Sequence, residues 1–205
     1  MCYETRMRDS ALTHNRIRIA DLAARMIAEN GIQDYALAKR KAARSLKLPD
    51  ARDLPSNEEV DSALIARQAL YEPEEHAALL LALRQQALAV MRVFEKFSPY
   101  LTGMVASGAV SEHSLIELDI DAESSKDFEQ LLVNQDIEFK IQDKNGRMAY
   151  LIYSEPTDVL VRITSNEGHH GSSSTRTRLS LAQLEKRLSS SGADTETQSH
   201  YNHAE

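Results

Sequence analysis

Between Ser98 and Asp121 the chain reads SPYLTGMVASGAVSEHSLIELDID, and no other stretch limits the possible folds so firmly. It reads as a strand, a turn carrying glycine and serine, and a second strand with acids at the alternate positions Glu117, Asp119 and Asp121. Successive side chains on a strand point to opposite faces, so residues two apart share one. Three carboxylates along one side of a strand end suit a divalent cation such as magnesium, which takes oxygen ligands and bridges phosphates. The same acids also read as solvent-facing residues at a strand end leading into a helix.

Upstream the spacing is helical. The first fifteen residues are polar and mixed and read as a disordered leader. From Arg16, the residues Ile17, Leu22, Ala23, Met26 and Ile27 recur at helical intervals up to Asn30-Gly31, a pair that ends helices well. A second helix is predicted over Tyr35–Leu46, stopped by Pro49. Ser56 and Glu59 have the spacing of a capping box for a third helix running to about Tyr71. Pro73 fits the first turn of a longer helix that ends near Phe97. Downstream, Ser124 caps a helix containing Phe128, Leu131 and Leu132. Strands are expected at Ile137–Gln142 and Arg147–Tyr153 around an Asn145-Gly146 hairpin turn, and again at Val159–Thr164. A polar loop follows, then a short helix from Ser180 to Leu188, and residues 189–205 read as a disordered tail. The order predicts an α+β chain: a helical N-terminal domain over 16–72, then a mixed sheet with helices packed on one face over 73–165. The loop and short helix occupy 166–188.

Charge narrows the partners. Residues 1–53 hold eleven Lys or Arg against seven Asp or Glu, a net of +4, so with −7 overall the remaining residues carry −11. The basic residues Lys39, Arg40, Lys41 and Arg44 fall on the second of two short helices across a glycine turn, the arrangement of a helix-turn-helix. They are the candidate DNA contacts, against the plainer reading of a solvated helix face. Aromatic content of 5% without Trp argues against a surface for stacking bases. No apolar run reaches bilayer length, the start lacks the apolar core of a secretory signal, and the single Cys2 makes no intramolecular disulfide. A cytoplasmic protein without a membrane contact is expected. His113, His169-His170, His200 and His203 form no ligand pattern of a recognised metal site.

The element order and the stretch Pro99–Leu118 resemble the nucleotidyltransferase superfamily of polymerase-β-like fold, in particular a bacterial group of minimal nucleotidyltransferase-like proteins with an extra helical N-terminal part. The resemblance spans about Arg16 to Thr164. It implies magnesium ions held by two or three carboxylates and a Gly-Ser turn facing the triphosphate. Gly103 matches the family glycine, while Met104 stands where the serine belongs. The first metal-binding acid falls on Leu115, the second on Glu117 and the third near Leu160. With two of three acids replaced, nucleotidyl transfer is expected to be lost or weakened, magnesium to bind weakly or not at all, and nucleotide or protein-partner binding, including self-association, to remain. The alternatives are a divergent magnesium-dependent enzyme or a DNA-binding regulatory adaptor. The divergent enzyme would use Glu117 and Asp119 catalytically, a metal site of Glu117, Asp119 and Asp121, and nucleotide contacts from Gly103, Ser107, Gly108 and Ser111.

Overall fold

The computed structural model describes residues 2–48, 54–122, 124–144, 147–164 and 177–198. It divides into two compact units: residues up to Leu79 together with Gly108–Ser114, and Leu80–Ser107 together with Leu115 onward. The helical unit therefore includes a segment that lies, in sequence, between the two halves of the motif discussed above. Pro49, the Asn145-Gly146 turn, His169-His170, His200 and His203 lie outside the described residues.

The helical unit is built on α1 (Cys2–Asn30), which packs on both α2 (Tyr35–Ser45) and α3 (Asn57–Tyr71). Its core is rich in small residues: Ala20, Ala23 and Ala24 of α1 and Ala38, Ala42 and Ala43 of α2 are buried, with Ile19, Ile27, Val60 and Leu64. Short side chains at helix contacts allow close approach of the axes. The α1 helix starts at Cys2, not at Arg16 as the polar leader suggested. Once a packed helix is nucleated, each added residue needs to fix only its own backbone to gain a hydrogen bond, so a polar extension can continue it. Gly31 follows α1 at φ +63°, the left-handed conformation that glycine tolerates best. Asp34 caps α2, accepting from the amides of Ala36 at 2.9 Å and Leu37 at 3.1 Å. The predicted capping box forms at α3: Ser56 Oγ accepts from the Glu59 amide, and Glu59 Oε2 accepts from the Ser56 amide at 2.6 Å.

In the second unit α4 (Pro73–Val93), counted from Leu80, is followed by a single 3-10 turn over Glu95–Phe97, so the α-helix stops short of the predicted Phe97. Then come β1 (Tyr100–Thr102), α5 (Gly103–Ser107), β2 (Ile116–Ile120) and α6 (Ser125–Asn134). The hairpin strands β3 (Phe139–Lys144) and β4 (Arg147–Ile152) precede β5 (Val159–Ile163), β6 (Leu179–Ser180) and α7 (Leu181–Gln198). The chain is α+β. Its mixed sheet has the order β3-β4-β5-β2-β1-β6, with β2 and β5 parallel and every other neighbour antiparallel.

Two elements depart from the sequence expectation. The turn after β1 is a helix, α5, because Met104, Val105 and Ala106 are apolar and all buried. The tail is helical as far as Gln198, well past Leu188 and into the segment expected to be disordered, an extension of a helix whose first turns are anchored by buried Leu184.

Alternation along β2 gives the sheet its two faces. Ile116, Leu118 and Ile120 are fully buried, and the register places them with Val159, Val161 and Tyr150. An aromatic cluster belongs to that side: Phe128 of α6 meets Phe94 at 5.1 Å, Phe97 at 5.5 Å and Tyr150 at 5.3 Å between ring centroids, each edge to face. Such pairs contribute about 0.5–1.5 kcal/mol each beyond their buried area. The Tyr150 hydroxyl donates to Glu129 at 2.6 Å, and burial together with that carboxylate pushes its pKa up to about 12. The other sheet face carries Glu117 and Asp119.

Candidate functional site

Alternation on β2 turns Glu117 and Asp119 to the same side, away from the aromatic core. Across the parallel ladder, Asp119 is in register with Arg162 of β5, which therefore points to that side too. Antiparallel pairing adds Thr102, opposite Glu117, and Tyr100, opposite Asp119. The side chains meet. Arg162 Nη2 donates to Glu117 Oε2 at 2.5 Å and to Thr102 Oγ1 at 3.2 Å, while its Nε donates to Asp119 Oδ1 at 3.1 Å. Thr102 passes the bond on by donating to the Glu117 carbonyl at 3.3 Å. Arg178, just before β6, lies 3.9 Å from Asp119 Oδ2 and stacks its guanidinium 4.6 Å over the Tyr100 ring.

The cluster is only partly exposed: 27% for the Arg162 side chain, 26% for Glu117 and 18% for Asp119. Burial opposes the Arg162 charge, but Glu117 and Asp119 outweigh it, and the net effect raises its pKa. Two carboxylates and two guanidiniums leave the face with no net charge.

Gly103 is the backbone element that makes room for this. It sits at φ +68°, and a Cβ there would come within 2.9 Å of Glu117 Cδ and Oε1. A glycine serves both needs, the left-handed backbone and the close approach of the carboxylate.

Magnesium fits these residues poorly. It asks for near-octahedral oxygen coordination, several ligands of which are usually waters. Glu117 and Asp119 each give one oxygen to Arg162, whose positive charge already fills the space between them. Among the described residues no group of three His, Cys, Asp or Glu is placed to hold a metal ion.

The positions expected from the family resemblance lie as follows. Leu115 precedes β2 and is not on the strand, so the two acids that share its open face are Glu117 and Asp119. Leu160 is the register partner of Glu117 and is nearly buried, but the residue that reaches the acids is Arg162, two positions on. Asp121 lies beyond β2, its amide donating to the Phe97 carbonyl at 2.8 Å; among the described residues it makes no ion pair and does not join Glu117 and Asp119.

The expected phosphate contacts are also dispersed. Ser107 Oγ donates to the Met104 carbonyl at 3.2 Å within α5. Gly108 and Ser111 belong to the helical unit, where His76 Nε2 donates to the Gly108 carbonyl at 2.9 Å and Ser111 is buried against Ser114. Gln33 donates to the His113 carbonyl at 2.5 Å, Gln68 donates to that of Val110, and the His113 ring lies against Gly31. These groups serve to hold the 108–114 segment. Arg162 is the site residue that sequence reading missed. Its signal was present: an arginine inside VLVRIT is a charge in an otherwise apolar strand, and it needs an acidic partner.

No family model matches the sequence, and neither does any curated protein. Among solved structures, the chain is similar to a cytoplasmic RNA terminal U-transferase (19% identity, TM-score 0.30, covering 46% of this chain and 29% of that one). It is also similar to the RNA terminal uridylyl transferase Cid1 (16% identity, TM-score 0.30, covering 46% of this chain and 30% of that one). The chain thus spans less than a third of the length of either. Among the described residues no helix is long and apolar enough to cross a membrane.

Proposed function

We propose that this chain is a nucleotidyltransferase-like protein that has given up nucleotidyl transfer and works by binding a nucleotide or a macromolecular partner. The observation that supports this reading is the Arg162 guanidinium seated between Glu117 and Asp119. A nucleotidyl-transfer site needs carboxylates free to take metal ions that neutralise the triphosphate. Here the carboxylates neutralise an arginine of the same chain. The resemblance in sequence supplies the superfamily, and Gly103 ahead of an acid-bearing strand agrees with it.

Because the face is balanced in charge, it has little to attract a bare triphosphate, and a partner protein or nucleic acid is the favoured ligand over free nucleotide. Calorimetric titration with ATP and UTP, with and without magnesium, tests the proposal. The wild type is expected to show no magnesium-dependent heat. Arg162→Asp, which places a third carboxylate beside Glu117 and Asp119, is expected to gain magnesium binding. Transfer of label from an α-labelled nucleotide by the wild type would overturn the reading outright.

A further inference from the structure

From the exposed cations of α2 we infer that the outer face of this helix is a binding surface for the phosphate backbone of a nucleic acid, formed by Arg40, Lys41, Arg44 and Lys47. The surface lies in the helical unit and stands or falls separately from the sheet-face cluster.

Charge is concentrated there. Residues 1–34 contain five basic and five acidic side chains, whereas residues 35–48 contain five basic and no acidic ones. The fold then sorts those five. Ala38, Ala42 and Ala43 are buried and fix the inward side of α2. Arg40, Lys41, Arg44 and Lys47 are exposed. Lys39, counted with them from sequence, is not available: its Nζ donates to the Pro55 carbonyl at 2.8 Å and to Asn57 Oδ1 at 2.9 Å. Burial lowers its pKa against the opposing pull of Glu58 and Glu59.

Elsewhere in this unit three cations are paired within the chain, Arg16 with Glu59 at 2.7 Å, and Arg25 and Arg67 with Glu29 at 2.9 Å and 2.8 Å, while exposed Arg18 stands apart on α1. No described carboxylate pairs with Arg40, Lys41 or Arg44 of α2 or with Lys47 beyond it. Like charges at successive helix turns destabilise a helix by about 0.2–0.5 kcal/mol per pair, a penalty that a bound polyanion reverses.

Lys47 sharpens the case. It follows α2 at φ +57°, the position where helices usually carry glycine, with its amide donating to Arg44 at 3.0 Å and that of Leu48 donating to Ala43 at 2.9 Å. A lysine there carries backbone strain and extends the cationic stripe by one turn. At a rise of about 1.5 Å per residue, the stripe from Arg40 to Lys47 is about 10 Å long, a few phosphates of a duplex. An anionic membrane is the weaker match, because interfacial helices need a broad free apolar face, and on α2 Ala38, Ala42 and Ala43 are buried and Leu37 is the one exposed large apolar side chain among the described residues.

The test is fluorescence anisotropy of the full chain with labelled duplex and single-stranded oligonucleotides between about 50 and 200 mM salt. Binding is expected with a logarithmic salt slope of about −3 to −4, for four phosphates. The combined variant Arg40→Ala, Lys41→Ala, Arg44→Ala is expected to lose affinity about tenfold or more, and Lys39→Met to bind as the wild type does. Lys47→Gly separates binding from folding: it should melt no earlier than the wild type in urea while its salt slope falls by about 1. Absence of oligonucleotide binding at the lowest salt, or an unchanged affinity in the triple variant, would overturn the inference. So would tighter competition by polyglutamate or by phosphatidylserine vesicles than by unlabelled oligonucleotide.

Discussion

On β2 and β5 charged side chains answer one another, whereas three exposed cations of α2 and Lys47 just after it have no described carboxylate paired with them. Glu117, Asp119 and Arg162 are about three-quarters or more covered and share four hydrogen bonds with Thr102. Arg40, Lys41, Arg44 and Lys47 are exposed. The difference teaches where each charge acts. A partly buried charge that is satisfied inside the chain contributes to folding, while an exposed charge left unanswered contributes little to folding and is available to a ligand.

The comparison breaks most readily at Arg162. Arg162→Ala leaves two partly buried carboxylates side by side and unpaired, and should cost about 2 kcal/mol, discounted from a fully buried pair for the remaining exposure. Single alanine substitutions at Arg40, Lys41 or Arg44 should change stability by no more than about 0.5 kcal/mol. Urea melts followed by circular dichroism decide this: equal midpoint shifts at the two surfaces would mean that the sheet-face cluster is not structural.

A smaller effect is expected at Gly103. Gly103→Ala forces a side chain into the left-handed region, at about 1–2 kcal/mol, and drives its Cβ against the Glu117 carboxyl, which Arg162 holds in place. Without Arg162 the carboxyl is free to move. A double-mutant cycle should therefore show that Gly103→Ala costs less in the Arg162→Ala background. Strictly additive costs would show that Glu117 is not held by Arg162.

The legibility of these two regions in the sequence was unequal, for a physical reason. Local signals were read well: the Ser56 and Ser124 caps, the end of α1 at Gly31, the alternation that turns Glu117 and Asp119 to one face, and the basic run of α2 all depend on residues within a few positions of one another. Register was not readable. Arg162 meets Asp119 only because β2 and β5 run parallel in one particular alignment, which is set by the whole sheet and not by either strand. The same limit misdirected attention to Leu160, and it hid the turn of Lys39 toward Pro55. Two-residue β6 and the five-residue helix α5 were lost for a different reason, since a strand of two residues and a helix of little more than one turn carry too little periodicity to declare themselves.

The smallest effect tests whether the helical unit also contains charges of the internal kind. Glu59 accepts from Arg16 at 2.7 Å and from the Ser56 amide at 2.6 Å, and these bonds hold its pKa below the ordinary value. A carboxylate with a depressed folded-state pKa binds fewer protons when folded than when unfolded. Its stabilisation is thus fully present above the unfolded value of about 4.3 and is lost as the pH falls through the folded one. Because Glu59 is well exposed the contribution is small, about 0.5 kcal/mol. Glu59→Gln should lower stability by that amount at neutral pH and flatten the decline in acid, and the α2 alanine variants should leave the shape of the acid limb unchanged. An acid limb identical in wild type and Glu59→Gln would place Glu59 with the unanswered charges of α2 and reduce its pairing with Arg16 to a contact without energetic weight.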